Sequence, residues 1–360
     1  MAKSLKKTPL NEVHRALRAR MTDFAGWELP VWYTSILEEH RAVRSRAGMF
    51  DVSDMGRVWI TGSKAGAFLD RILTRPAHSL NVGAAQLCLL CLEDGGILDD
   101  LLVYRVDTEA FLIVWNAGNI EEKLGWLRRW AGCDPDIIIQ DRSADTVMLA
   151  VQGPAACQVQ GLEGARYLAR FGNARTSIGD VEALVARTGY TGEDGFEIIT
   201  DAANGVSLWE SFIKQGVKPC GLGARDSLRL EAGMLLYGQD MDKSTNPFEA
   251  GLEWLVEMDE RDFVGKGALL EIKRQGVKRK HVGFRVTGEG IARPGYKIVG
   301  GGQEVGKVTS GGYSPTLAVS IGFGYVPIEL ATVGTDIQVI IRGKPVAAKV
   351  VDRRFYKRGA

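Results

Sequence analysis

The run Cys220-Gly-Leu-Gly-Ala-Arg-Asp-Ser-Leu-Arg-Leu-Glu-Ala-Gly-Met-Leu-Leu-Tyr-Gly-Gln-Asp-Met-Asp242 sets glycines, a helix start and alternating charges side by side. After Pro219, Gly221 and Gly223 permit a tight turn, and residues 224–232 read as a helix with Leu228 and Leu230 turned inward. Arg225 and Arg229 lie four apart and so share one helix face. Two readings of that face stand side by side. One is a solvated salt-bridge helix with Asp226 and Glu231; the other is an anion clamp, because a planar guanidinium holds a carboxylate at two points.

Around this run lies a chain of 360 residues, enough for two or three domains with a full core. Lys and Arg number 45 against 44 Asp and Glu, a balance that argues against nucleic acid or a membrane surface as partner. No apolar run approaches a bilayer span, and Met1-Ala-Lys-Ser-Leu-Lys-Lys-Thr-Pro-Leu10 lacks the apolar stretch of a secretory signal, so a cytoplasmic protein is expected. The five cysteines are odd in number and scattered, which does not suggest a disulfide framework. Cys88 and Cys91 form a C-x-x-C inside a strand-like run, where residues three apart face opposite ways, and no second ligand pair accompanies them. No metal site is expected.

Strand and helix patterns alternate up to about Gly276. A strand over 58–61, an amphipathic helix over 64–74, strands over 86–92, 97–106 and 110–115 and a helix over 120–130 form one set. A strand over 146–151, a helix over 155–170, strands over 181–187 and 195–200 and a helix over 206–216 form another. The two sets read as related α+β units without a repeat of fixed period. After Lys280, glycines punctuate short alternating runs, the pattern of a small antiparallel barrel, and residues 273–280 read as a basic linker. Domains over 1–275 and 276–360 follow. Gly300-Gly-Gly-Gln-Glu-Val-Gly306 lacks the following helix of a phosphate loop and reads as a hairpin turn, and no dinucleotide fingerprint stands near the N-terminus.

Several further segments fall in a consistent order: Asp23-Phe-Ala-Gly-Trp-Glu-Leu-Pro30, Ala47-Gly-Met-Phe-Asp-Val-Ser53, Gly95-Gly-Ile-Leu-Asp-Asp-Leu-Leu-Val-Tyr104, Thr188-Gly-Tyr-Thr-Gly-Glu-Asp-Gly-Phe-Glu197 and Ser310-Gly-Gly-Tyr-Ser-Pro-Thr316. With the run at 220–242 they resemble the aminomethyltransferase family, the T-protein of the glycine cleavage system and its tetrahydrofolate-dependent relatives. The resemblance implies two intertwined α+β folate-binding lobes and a C-terminal antiparallel β-barrel around a central cavity. It implies transfer of a methylene unit from a lipoyl-bound aminomethyl group on H-protein to tetrahydrofolate, with release of ammonia.

Specific residues carry that expectation. Adjacent acids on a strand point to opposite faces, so one of Asp99 and Asp100 is free to enter a cavity, although such pairs often serve as structural acceptors. The resemblance puts Asp99 beside the reactive folate nitrogen, where a carboxylate stabilises developing positive charge. Glu193 sits in a glycine-framed turn; read alone it is a loop acid between hairpin strands, and by resemblance it is the pterin anchor, accepting two parallel N–H bonds. Asn116 is a second polar contact, and Tyr104 and Tyr190 either wall the slot or belong to the core. Arg225 meets the glutamyl carboxylate or steadies the site acid. Arg358 resembles the basic end that meets the folate tail in relatives, or is simply solvated.

The chain departs from the family pattern in one region. Asp54 follows Ser53 where a histidine is usual; Leu87 and Leu92 stand where a tyrosine and an asparagine are usual; Arg75-Pro76 replaces an Asn-Asp. These changes leave room for a second reading, a tetrahydrofolate-dependent demethylase or methyltransferase acting on a small O-, S- or N-methyl donor. A third, a non-catalytic folate-binding assembly factor, lacks its Lys-Gly-Cys-Tyr-type motif here. For docking of an acidic carrier, Arg41, Arg44 and Arg46 are candidates, against a plain solvated face.

Overall fold

Strand Thr146–Gln152 is buried along its whole length, which is why its sequence, Thr-Val-Met-Leu-Ala-Val-Gln, is almost continuously apolar instead of alternating. It lies inside a six-stranded sheet ordered Asn173–Ile178, Val181–Ala186, Gly195–Asp201, Thr146–Gln152, Gly48–Asp51, Lys218–Pro219, antiparallel except for the last pair. In this computed structural model, which describes residues 4–258 and 260–359, a second sheet of five strands runs Ala85–Cys91, Ile97–Asp107, Ala110–Trp115, Gly56–Thr61, Ile138–Asp141. The first three residues of the N-terminal run lie outside the described residues. Leu149, Val151, Phe196, Ile198, Trp209 and Phe212 sit in the core of the six-stranded sheet, the last two brought by helix Gly205–Lys214.

The chain divides into two compact units. One holds the residues up to Cys88 together with Asp100–Arg225; the other holds Leu89–Asp99 and everything from Asp226. In the second unit, strands Arg279–Val286, Val319–Pro327, Gln303–Ser314, Lys297–Gly300, Asp336–Ile341 and Lys344–Val351 close into an antiparallel barrel. Phe284, Ile298, Val326 and Val339 fill it. Closure leaves no edge strand to pair with another chain. The α+β class and the C-terminal barrel are therefore as the sequence predicts.

Three details differ. The helix expected over 155–170 is two short 3₁₀ turns, Ala156–Gln158 and Gly164–Tyr167. Ala156, Val159, Leu162, Ala165 and Leu168 all pack on the sheet core, a spacing of three that suits 3₁₀ turns, and Gly161 at φ +91° breaks any continuous helix. The linker over 273–280 is mostly ordered structure, because helix Lys266–Gln275 runs to Gly276 and the first barrel strand begins at Arg279. Helix Leu222–Glu231 begins two residues earlier than expected, and its glycines are required by crowding. A Cβ on Gly221 would lie 2.4 Å from the Val31 carbonyl oxygen, and one on Gly223 2.5 Å from the Ile36 side chain.

Candidate active site

In the first unit a set of polar side chains is buried among apolar strands. Glu197 lies on strand Gly195–Asp201 and is 4% exposed. Its Oε2 accepts from Thr188 Oγ1 at 2.5 Å and from the Tyr104 hydroxyl at 3.3 Å. Burial pushes the Glu197 carboxyl up, and the Thr188 bond, Arg225 and Tyr104 pull it back. Tyr104 is itself buried, and burial next to Glu197 holds its hydroxyl firmly protonated. Of the two readings given to Tyr104, slot wall or core, its ring is seen in the core, and its hydroxyl bonds Glu197.

Arg225 lies over the Tyr190 ring, 4.7 Å from its centroid, and its Nη2 is 3.9 Å from the Met55 sulfur. Among the described residues it forms no ion pair, although Glu197 and Asp54 are near enough to feel its charge. A half-buried guanidinium on an aromatic face with no carboxylate in contact has the chemistry to hold an anion. Arg225 also borders a small cavity with Phe50, Asp51 and Cys220, about 10 Å³ in volume and so large enough for roughly one water molecule.

The loop carrying Glu193 is pinned from both sides. Arg187 grips Asp194 with Nε at 2.9 Å and Nη2 at 2.5 Å, a two-point ion pair. Arg44 Nη1 donates to Glu193 Oε1 at 3.1 Å and to the Thr191 carbonyl at 2.7 Å. Gln152 joins in, donating to the Thr188 carbonyl at 3.0 Å and accepting from Thr191 Oγ1 at 3.0 Å. The Gln152 amide packs so closely that a Cβ on Gly189 would fall 1.9 Å from its oxygen. Glu193 is therefore paired with an arginine, and of the three arginines considered for carrier docking, Arg41 and Arg46 are exposed while Arg44 is engaged in the loop.

Asp99 and Asp100 face opposite ways on strand Ile97–Asp107, as the alternation requires: Asp99 is fully buried and Asp100 partly so. Asp100 receives the Asn116 side-chain amide at both its carbonyl, 3.1 Å, and its Oδ1, 2.9 Å. Lys123 donates to the Asn116 carbonyl at 2.6 Å, so Asn116 also ties the start of helix Ile120–Ala131 to the sheet. In the second unit, the turn before Asp99 is held by Ile97, whose N–H donates to the Thr245 carbonyl and whose carbonyl accepts from the Tyr237 hydroxyl. Gly96 approaches so near that a Cβ would meet the Lys243 carbonyl oxygen at 2.1 Å. Arg358 is exposed beyond the last barrel strand.

The two readings of the 220–242 run now separate. Arg229 is 1% exposed and mainly internal: it pairs with buried Asp240 Oδ2 at 2.6 Å and Ser310 Oγ at 2.7 Å, and also keeps the expected bridge to the exposed Asp226 at 2.7 Å. Glu231, also buried, accepts from Thr316 N at 3.0 Å, Thr316 Oγ1 at 2.7 Å and Ser314 Oγ at 2.5 Å. Both ends of the Ser310-to-Thr316 motif thus bind the helix through acids and an arginine within the second unit. Glu193 is the acid expected to meet a ligand; Glu197, in the same motif, carries no such expectation. The available signal was a carboxylate inside the apolar strand Gly-Phe-Glu-Ile-Ile, where burial of a charge demands a partner.

A buried carboxyl, a stacked guanidinium and a rigid glycine loop in the first unit thus lie on an α+β frame suited to hold a small molecule. Comparison with known proteins makes this specific. The GCVT N-terminal domain description matches residues 10–260, and that of the glycine cleavage T-protein C-terminal barrel domain matches residues 279–357. An aminomethyltransferase of Rubrobacter xylanophilus is 48% identical over 359 residues, covering 99% of this chain and 95% of that one. One from Symbiobacterium thermophilum is 45% identical, with 99% of each chain covered. The crystal structure of glycine cleavage system aminomethyltransferase T from Bartonella henselae superposes with a TM-score of 0.94 at 35% identity, covering 99% of each chain. The chain belongs to the glycine cleavage T-protein family of aminomethyltransferases. It is a one-carbon transferase that uses tetrahydrofolate as co-substrate.

Proposed function

We propose that the donor is an aminomethyl group on the lipoyl arm of an H-protein, and that the chain passes its methylene to tetrahydrofolate while ammonia leaves. The observation that supports the reading best is the Glu197, Thr188, Tyr104 and Arg225 cluster, a buried carboxylate and an anion receptor of the kind a folate needs. Bound tetrahydrofolate supplies the nucleophilic nitrogen. In our reading Glu197 grips the amino-pyrimidine edge, since its carboxylate is held by neutral hydroxyls, whereas Glu193 reaches a ligand only as an Arg44 pair. Glu193, held by Arg44, then positions the loop and lends a second acid to the ring edge beside Glu197. Arg225 takes the glutamyl carboxylate, Tyr190 supports it from below, Asn116 orders the sheet end beside Asp100, and Arg358 lends charge to the tail.

Asp99 is assigned the chemical role. A buried carboxylate stabilises the iminium-like charge that grows as ammonia departs, and stabilisation of charge in the transition state is the largest single effect available to such a site. Residues 1–275 form the folate-binding region in this scheme and residues 276–360 the barrel domain. A cytoplasmic setting belongs to the same proposal, supported by five cysteines that are all free. No described helix is long and apolar enough to cross a membrane.

Purified chain incubated with tetrahydrofolate and aminomethyl-loaded H-protein should release ammonia and methylene-tetrahydrofolate in equal amounts. Neither product, in a preparation that still binds tetrahydrofolate, would transfer the argument to a small methyl donor.

A further inference from the structure

Asp54 has no part in the scheme above, yet it is 6% exposed and stands on the turn between strands Gly48–Asp51 and Gly56–Thr61. That turn is rigid. Arg57, fully buried, donates to the carbonyls on both sides of Asp54: to Ser53 at 3.0 Å and to Met55 by a short bond. Ser53 Oγ in turn accepts from Met148 N at 3.0 Å, which fixes the turn to the central strand. The next residue, Met55, touches Arg225 through its sulfur. The charged groups that face Asp54 are Arg225 from helix Leu222–Glu231, Asp51 from its own strand and Arg57 from the following one. Asp51 is itself committed to His14 at 2.9 Å and Thr8 at 2.6 Å.

We propose that Asp54 is a built-in competing anion for Arg225, so that its ionisation sets this chain's affinity for the anionic tail of its folate. The inference rests on the folate reading of Arg225. A buried carboxylate near a guanidinium, but not bonded to it, cancels part of the field a ligand carboxylate would feel and offers no hydrogen bond in exchange. Burial holds the Asp54 carboxyl at about 6, with Arg225 opposing and Asp51 reinforcing, so the competitor is switched on across the neutral range. Asp54 is a positioning and selectivity residue; it takes no proton from the reaction.

The test is titration calorimetry from pH 5.5 to 7.5 with two probes, tetrahydrofolate and 6-methyltetrahydropterin, which has the ring but no glutamyl tail. The readout is the ratio of the two affinities, which cancels any titration of Glu197 because that group acts on the ring common to both. In the native chain the ratio should rise about tenfold on going from pH 7.5 to 5.5, the effect of one partly screened charge. In Asp54→Asn it should be high at every pH. A native ratio that does not change with pH overturns the inference without any variant, and so does an Asp54→Asn gain shared equally by both probes. Failure of the native chain to bind either probe would instead overturn the folate reading itself.

Discussion

At the scale of single residues, two acids in this protein are expected to behave in opposite ways when neutralised. Asp99→Asn keeps shape and burial but removes the carboxylate to which the proposal gives transition-state stabilisation, so kcat should fall at least about a hundredfold while the dissociation constant for tetrahydrofolate changes little. Steady-state kinetics beside calorimetry separates the two quantities. Asp54→Asn should stabilise the fold. Its carboxyl is held at about 6 against an ordinary 3.8, so folding favours the protonated form; that advantage is complete below 3.8 and is lost as pH rises through 6. At pH 7.5 the native chain carries the full cost of an ionised buried acid, about 3 kcal/mol for a shift of this size, and the variant does not. Urea unfolding at pH 7.5 measures it, and an unchanged midpoint would contradict the burial argument. The identities of both acids were legible in the sequence. Their environments were not, because whether a carboxylate is buried, and beside which cation, is decided by residues far away in the chain.

At the scale of elements, the glycines that frame the family motifs act through close approach more than through unusual dihedrals. Gly221→Ala would push a methyl against the Val31 carbonyl, which belongs to ribbon strand Trp27–Trp32 and cannot swing aside as a side chain would. A loss of about 1–3 kcal/mol is expected, read as a lower urea midpoint. Packing also decides the 155–170 segment, which forms two 3₁₀ turns where a helix is expected. A spacing of three apolar residues is close enough to 3.6 to look helical over a few turns, and only the docking of each turn on the sheet shows that 3₁₀ geometry meets it better. The seven strands expected before Gly276, in contrast, have bounds within one or two residues of those seen, since long apolar or alternating runs closed by glycines leave little choice of register, whereas the short Gly48–Asp51, Ile138–Asp141 and Asn173–Ile178 are not among those expected. The pairing of Glu193 was likewise beyond the sequence: Arg44, more than a hundred residues away, meets it, while Glu197 in the same quoted motif is set among hydroxyls.

At the scale of the whole molecule, acid stability should reflect two opposed titrations, one in each unit. His281, buried at the first barrel strand, receives a hydrogen bond at Nδ1 from Arg353 at 3.2 Å and faces Thr309 at 3.1 Å. Burial, with Arg353 and Arg229 adding to it and Asp240 opposing, holds its imidazole below the ordinary 6.5 and therefore neutral. The unfolded chain takes up that proton first, so this contribution is complete above 6.5 and is lost as pH falls below it. Asp54 works in the other direction below 6. Thermal melts between pH 7.5 and 5 should show a steeper acid loss in Asp54→Asn and a shallower one in His281→Gln. Asp240 anchors the same network, its carboxyl held far below the carboxylate range against burial by His281 and Arg229. Asp240→Ala leaves Arg229 buried without its main partner and should cost about 3–5 kcal/mol.

The sequence by itself determined the class of fold, the presence of a C-terminal barrel, the family and the set of acids and arginines from which the site is drawn. These follow from patterns a few to a few tens of residues long, hydrophobic period and glycine placement above all, and such patterns are local. Only the tertiary structure decided that Arg229 is an internal strut while Arg225 lies on the Tyr190 ring without an ion pair among the described residues, that Glu193 is paired and Glu197 is set among hydroxyls, and that Asp54 stands in range of the same guanidinium. Each of these is a matter of which charge lies within a few ångströms of which other in a medium that screens poorly, and that distance is set by the packing of sheets and helices remote from one another along the chain.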